Sequence, residues 1–397
     1  MAETMLPVLV GSSVVALALQ SRVLYLVVTG LGCYALLNGA MVGFEGPAEN
    51  AFVFGMALAG LVVKLYNYMY LIEPDKLQRK TAGDAVLSDD CRVGKLHEAS
   101  SSPNLVAKAL RVRSTLWDAF ELVISSRGIG WKFELRGLFQ ASDVPTSRLG
   151  FAFEQAWGAF WRFVVMDVVR QMLMTTHLAG LHPLLGPLDY PFWTKVALGA
   201  LLCQWVRWKM ELPYRVASAA GVLIGWGRAS EWPPIFNSWS NAWTIRRFWS
   251  HSWHQNLRMQ TEPPTTWLID DVMKAKRGSY LSRYGRVCGI FFMAFLIHGY
   301  GRILTGGSPW IDFCIFMMQP VLIFTEDAFK GMVSRSGIVS TEHWSATYAG
   351  YAWVLIVESL VMAFWMDELV RKGMFREPVF GLTLVEHFRS CEALKFA

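Results

Sequence analysis

Apolar runs long enough for membrane helices alternate along the chain with short segments that hold most of the Lys, Arg, Asp and Glu. The runs fall at residues 6–20, 23–44, 51–72, 153–178, 193–208, 214–229, 286–305, 310–330 and 346–367. A helix needs about 20 residues to cross the hydrocarbon core, so 6–20, 193–208 and 214–229 are short and the pattern predicts about seven to nine spans. No stretch alternates apolar and polar positions over the length of a barrel strand, which argues against a transmembrane β-barrel. The expected fold class is an all-α integral membrane protein, a polytopic bundle of about 7–9 transmembrane helices with interfacial helices. The run at 6–20 lacks a basic leader and an obvious cleavage site, so it reads as a short first span rather than a cleaved signal peptide.

Two regions do not fit the spanning pattern. Residues 73–150 form the longest polar stretch and carry Lys76, Arg79, Lys80, Arg92, Lys95, Lys108, Arg111 and Arg113. That basic content predicts the cytoplasmic side. Within it, 82–104 is rich in Ser, Asp and Gly and predicts a mobile loop. An amphipathic helix follows at 114–124 and ends at Arg127-Gly128-Ile129-Gly130-Trp131. The second region, 230–285, is framed by Pro233-Pro234 and Pro263-Pro264. Its middle, 238–258, has a helical pattern but is too polar to cross lipid alone; Trp239 and Trp243, like Trp249 and Trp253, are spaced to stack on one helix face. An interfacial helix anchored by tryptophan fits this pattern. The chain thus divides into transmembrane helices at 1–72, a cytoplasmic loop with an amphipathic helix at 73–150, and a membrane core at 151–397.

Composition agrees with the bilayer as the main partner. The chain is 53% hydrophobic, 14% aromatic and only 17% charged, where soluble chains carry about a quarter charged residues. The 18 Trp and 25 Phe suit the headgroup level, where an amphipathic ring satisfies its polar edge. A net charge of +6 raises the possibility of nucleic acid. No basic run lies outside juxtamembrane positions, so a positive-inside bias and attraction to anionic lipid account for it, and no nucleic-acid partner is expected. The cysteines (33, 91, 203, 288, 314, 391) are scattered without paired spacing, which supports neither a disulfide framework nor a zinc site.

Among the histidines, His97, His343 and His387 fall in polar segments, and His177 and His182 at the end of a span beside Pro183. His298 differs. Between Arg286 and Arg302 the only other ionisable groups are Cys288 and Tyr300, and an ionisable residue inside a membrane segment is a functional candidate because its burial is costly. A core histidine bonded to a neighbouring helix is the competing explanation. Gly299 and Gly301 beside it permit close approach of a backbone or ligand. His251 and His254 share a face, but one such pair is weak evidence for metal, and none is expected. Glu326 and Asp327 end an apolar run as a helix boundary or as partners for Arg or His inside the bundle. Arg162, Asp167 and Arg170 lie toward one side of their helix and predict an inward polar face or a tilted helix. No phosphate loop, Walker pattern or Ser-His-Asp signature is present.

The block Pro233-Pro234-Ile-Phe-Asn-Ser-Trp-Ser-Asn-Ala-Trp-Thr-Ile-Arg-Arg-Phe248-Trp249-Ser-His-Ser-Trp253-His254-Gln-Asn-Leu-Arg258 resembles the signature of wax-synthase-like proteins, a branch of the membrane-bound O-acyltransferases. Leu116-Trp117-Asp118 through Trp131 upstream, the apolar helix with His298, and Phe316 to Asp327 with its Gln319 follow in the family's order; the likeness covers roughly 110–370. Fungal relatives of this branch acetylate terpenoid or polyketide alcohols, and plant relatives esterify long-chain alcohols. His298 matches the family's intramembrane catalytic histidine, and His254 its second polar position. Ala294-Phe295 stands where a small Ser-Gly pair is usual, and Ser250-His251-Ser252 where the family is Gly-Arg-rich.

The resemblance implies transfer of an acyl group, acetyl by analogy, from acyl-CoA to the hydroxyl of a lipophilic alcohol, with no bound cofactor. His298 would be general base, because a neutral imidazole suits proton abstraction at pH 7. His254, helped by Asn256, would position the acyl group or stabilise the oxyanion. Trp249, Trp253, Arg246, Arg247, Arg258, Glu326 and Asp327 are the further substrate and CoA candidates, the arginines for CoA phosphates. The endoplasmic reticulum is the expected membrane. The alternatives are a wax synthase for long-chain alcohols, a membrane terpenoid cyclase or isomerase using Glu326 and Asp327, and a transporter, for which the halves show no internal repeat.

Overall fold

The computed structural model describes residues 2–42, 46–72, 77–79, 116–134, 147–175, 186–336 and 344–384. Its helices are α1 (Ala2–Leu19), α2 (Arg22–Val42), α3 (Ala48–Tyr66), α4 (116–124), α5 (Arg148–Thr175), α6 (Phe192–Leu223), α7 (Ile245–Arg247), α8 (Arg258–Thr266), α9 (Tyr280–Leu304), α10 (Trp310–Ser336) and α11 (Trp344–Arg371). Among the described residues no strand forms, and extended pairing is limited to two isolated bridges, Arg79 with Trp131 and Val379 with Leu382. The fold is all-helical, as the apolar pattern predicts.

Among the described residues four helices are long and apolar enough to cross a membrane: Arg22–Met41, Ala48–Leu71, Tyr280–Leu304 and Trp344–Arg371. That is fewer than the seven to nine segments read from the pattern. α5, α6 and α10 have the length but carry charge within it: Arg162, Asp167 and Arg170; Arg207, Lys209 and Glu211; Asp312, Glu326 and Asp327. The runs at 193–208 and 214–229 are not two elements. They form the single 32-residue α6, which continues through Pro213. α5 turns Leu149, Phe153, Trp157 and Phe160 outward, at the three- and four-residue spacing of one helix face, an apolar surface suited to lipid.

The chain forms two compact units. The first comprises 1–44, 54–136 and 256–304. Its core joins Leu9, Leu17, Val28, Leu58, Leu65, Tyr68, Leu122, Trp131 and Met259. α1 and α2 pack against each other across a two-residue turn in which Gln20 takes φ 47°. The amphipathic α4 is tied to the bundle by Lys64 of α3, whose buried ammonium donates to the carbonyls of Val123 (2.5 Å) and Ser125 (3.0 Å). A cation at a helix C-terminus satisfies carbonyls that the helix leaves open.

The second unit comprises 45–53, 137–255 and 305–397. α6 packs on both α5 and α11. Contact with α11 is backbone to backbone at Gly199, where any side chain would run into the Ser359 carbonyl. Contact with α5 is polar: Glu211 of α6 accepts from Arg162 Nε of α5 at 2.6 Å and from Arg207 Nε at 3.0 Å, with all three side chains largely buried. The other polar residues of α5 are also directed inward. Arg170 donates to the carbonyls of Arg376 and Glu377, and Asp167 accepts from the Leu384 N–H at 2.7 Å.

Candidate active site

The signature block is not one helix. Ser238 caps a single 3-10 turn at Trp239–Asn241, and Thr244 caps the one-turn α7 by accepting from the Arg247 N–H at 3.0 Å. α7 then widens into a π-turn, Phe248–Ser252, closed by Trp253 N–H donating to the Phe248 carbonyl at 2.8 Å. Small polar residues that hydrogen-bond their own backbone favour such caps and turns over helix interiors. The tryptophan pairs therefore part. Trp239 stacks on Phe248 at 5.9 Å, while Trp243 packs against Tyr351 at 6.2 Å. Trp249 and Trp253 remain neighbours at 5.8 Å, but edge to face, with Trp253 already extended past the turn.

This coil is gripped from three helices of its own unit. From α6, Arg207 donates to the Asn237 carbonyl at 3.0 Å and lies over the rings of Phe236 and Trp239. From α10, Glu326 accepts from the Ile245 N–H at 2.7 Å and pairs with Lys330, and Asp327 pairs with Arg246 at 2.7 Å. From α10 and α11 together, Gln319 Oε1 and Glu358 Oε1 accept from Trp249 Nε1 at 2.9 and 3.3 Å, and Gln319 Nε2 donates to Glu358 Oε2 at 3.4 Å. Gln319 is fully buried and Glu358 is 4% exposed. Arg247 lies over Trp243 at 3.6 Å and donates to the Asn241 carbonyl. Carried on this frame, the His254 ring meets Phe236 edge to face at 5.5 Å and Trp253 at 5.6 Å. His251 is exposed beside Ser250.

The remaining candidates belong to the first unit. His298 is 7% exposed in α9. Its Nδ1 lies 2.8 Å from the Ala294 carbonyl one turn earlier. A carbonyl only accepts, so Nδ1 carries the proton and a neutral ring keeps its basic lone pair on Nε2. The partner is a backbone group, so Ala294 serves although the family's usual small pair is missing. α9 is fixed along its length. Arg286 meets both oxygens of Asp270 at 2.6 and 2.7 Å, and Tyr300 donates to the Leu36 carbonyl at 2.8 Å. Gly301 packs so closely on Gly55 of α3 that a Cβ at Gly55 would lie 2.7 Å from its Cα. Arg302, fully buried, follows one turn after His298 on the same face. The Asn256 side-chain oxygen is buried with no hydrogen-bond partner among the described residues, and Arg258 pairs with Glu262 at 3.3 Å.

Thus Arg246, Arg247, Trp249, Trp253, His254, Glu326 and Asp327 are assembled in one unit, whereas Asn256, Arg258 and His298 belong to the other. The sequence reading missed Arg207, Glu211 and Glu358. The last had a usable signal, because it is the only charged group between Trp344 and Trp365. His97, His177, His182, His343 and His387 lie outside the described residues, as does the loop at 82–104. Among the described residues no cluster of three or more His, Cys, Asp or Glu side chains is arranged to hold a metal.

Part of the chain is similar to a known family. Residues 232–318, from Trp232 through the signature and His298 to Met318, match the membrane bound O-acyl transferase family. Acetyltransferase ple2 of Rhodocybe pseudopiperita is 28% identical over 62% of this chain and 63% of its own length. Acetyltransferase ataH of Aspergillus terreus is 27% identical over 64% of this chain and 89% of its own length. O-Mevalon transferase macI of Penicillium terrestre is 26% identical over 69% of this chain and 63% of its own length. The matched stretch thus spans just under two thirds of ple2 and macI. No solved structure matches. The resemblance read from the signature block is borne out in what the chain is similar to: a family of membrane bound O-acyl transferases over 232–318 and fungal acetyltransferases over about two thirds of its length.

Proposed function

We propose that the chain transfers a short acyl group, acetyl first, from acyl-CoA to the hydroxyl of a lipophilic acceptor such as a terpenoid or polyketide alcohol. The observation that carries the reading is His298, a buried imidazole whose Nδ1 is committed to the Ala294 carbonyl. Nε2 takes the hydroxyl proton as the alcohol oxygen attacks the thioester carbonyl. The tetrahedral intermediate collapses by breaking the C–S bond, and the imidazolium returns the proton to the departing thiolate, giving ester and CoA. Among the described residues no Ser or Cys stands in a recognisable activated-nucleophile setting, in keeping with direct transfer. The similarity to the acetyltransferases ple2 and ataH supports acetyl as the group transferred.

His254 remains the candidate for the second polar role, positioning the acyl group or stabilising the oxyanion. Asn256 suits a different task from the helper role read in the sequence. Its orphaned oxygen accepts a hydrogen bond, so it would take one from a substrate N–H or O–H. Trp249, Trp253, Glu326 and Asp327 act through the frame that holds the signature. Arg246 and Arg258 each keep about a third of the side chain exposed beside their carboxylates, which leaves room for a CoA phosphate; Arg247 is the third such candidate. The endoplasmic reticulum is the proposed membrane.

The test is turnover by microsomes carrying the wild-type chain, supplied with acetyl-CoA or palmitoyl-CoA and a panel of terpenoid, polyketide and long-chain alcohols. Acetyl transfer to a cyclic alcohol, lost in His298→Ala at equal expression, is expected. Palmitoyl transfer to a long-chain alcohol would instead make this a wax synthase. Turnover retained by His298→Ala would sink the base assignment.

A further inference from the structure

Glu358 is the only charged residue of α11 between Trp344 and Trp365, and the acyl-transfer chemistry just described has no use for it. Its two oxygens face two donors from different parts of the chain: Oε1 accepts from the Trp249 indole and Oε2 from the Gln319 amide. The amide is thereby oriented. With Nε2 turned to Glu358, Gln319 presents Oε1 to the same indole N–H at 2.9 Å. If Glu358 lost its oxygens, the amide would be free to rotate and set its own N–H groups against the indole donor. A donor facing a donor in a buried site leaves both unsatisfied, at a cost larger than that of a missing bond.

What the indole holds is the π-turn. Trp249 lies inside Phe248–Ser252, and the closing bond of that turn runs from Trp253 to Phe248. Phe248 and Trp253 are stacked at 5.4 Å, Trp249 lies edge-on to both, and His254 packs against Trp253. A single π-turn inside a helix is a high-energy local choice that recurs at functional sites. Here it needs an anchor from outside.

We infer that Glu358 is a positioning residue: through Gln319 and Trp249 it holds the π-turn and so sets the place of His254. The inference rests on the acyltransferase reading only for its kinetic arm.

The experiment compares wild type, Glu358→Leu, Glu358→Gln, Trp249→Phe and the Leu/Phe double variant, each purified in detergent and normalised to monodisperse protein. Hydrogen exchange is read on peptides covering 248–255. Glu358→Leu is expected to speed exchange there by about tenfold or more, because the turn opens locally. Glu358→Gln, with one acceptor oxygen left, should fall between Leu and wild type. Adding Trp249→Phe to Glu358→Leu should add little, since both remove the same link. In turnover, specific activity should fall about tenfold in kcat at unchanged KM for acyl-CoA. A merely structural role would lower the yield of monodisperse protein and leave specific activity intact. Unchanged exchange at 248–255 overturns the inference whatever the activity. Loss of exchange protection in a protein whose wild type transfers no acyl group upholds it and rejects the proposed function instead.

Discussion

His298 of α9 and Glu358 of α11 are both buried polar groups in apolar helices, yet they are held in opposite ways. His298 is fixed by its own backbone, through the Ala294 carbonyl, and by how tightly α9 packs at Gly301. Glu358 is fixed by side chains from elsewhere, and both of its oxygens accept from the protein. A ring that donates from Nδ1 to its own helix has Nε2 as its proton-accepting nitrogen. A carboxyl engaged at both oxygens orients its neighbours. Burial of an ionisable group in a membrane helix makes both functional candidates, and under the proposed function the bonding pattern would separate a reactive group from a positioning one.

The comparison is broken most directly at His298. Substitution by Ala should lower kcat by about a hundredfold or more, the range expected for loss of a general base, with the thermal midpoint in detergent little changed. A similar loss of folded protein would make His298 a structural histidine.

The next test concerns the side-chain-held unit. Glu211 satisfies two largely buried arginines, Arg162 and Arg207, and Arg207 in turn holds the Asn237 carbonyl. Glu211→Ala leaves both arginines without that partner, and breaking a buried pair costs about 3–5 kcal/mol. A drop in thermal midpoint and in monodisperse yield should appear together. Unchanged stability would mean that the two arginines find other acceptors.

The backbone-held unit responds to shape instead. At Gly55 an added Cβ would lie 2.7 Å from the Gly301 Cα, so Gly55→Ala must push α3 from α9. Overpacking of this kind costs about 1–3 kcal/mol and should lower activity several-fold. Gly11→Ala is the control, with nothing within 4 Å of its new methyl, and should leave both stability and turnover unchanged. Equal effects at the two glycines would show that packing does not place His298.

These contrasts explain what could be read beforehand. His298 stood out because the signal for it is local: one ionisable residue among apolar ones, with glycines beside it. The helical content was legible for the same reason. α6 was not, because Arg207, Lys209, Glu211 and Pro213 interrupt its hydropathy, and the reason they are tolerated lies in Arg162, 49 residues away from Glu211. The signature was read as one helix from its aromatic spacing. Its capping by Ser238 and Thr244 was visible in principle, but the π-turn depends on Glu358, 109 residues distant from Trp249. Glu358 itself carried the same local signal as His298.

The smallest expected effect separates His251 of the signature turn from His298 of α9. His251 lies outside the spanning helices, and partial desolvation, followed by the positive charge of Arg247, holds its imidazole below the usual 6.5. A base whose folded pKa is depressed prefers to be neutral in the native state. Its protonation therefore favours unfolding, and this penalty develops only as pH falls below 6.5. At pH 7.5 the ring is neutral with or without the fold, so His251→Ala should keep turnover within about twofold, the scale of an exposed substitution. The decisive readout is the pH profile of kcat. If His298 is the base, loss of activity on acidification belongs to it, and the acid limb should be superimposable in wild type and His251→Ala. An acid limb that disappears with His251 would move the proton-accepting role from the backbone-tethered histidine of α9 to the exposed ring of the signature turn.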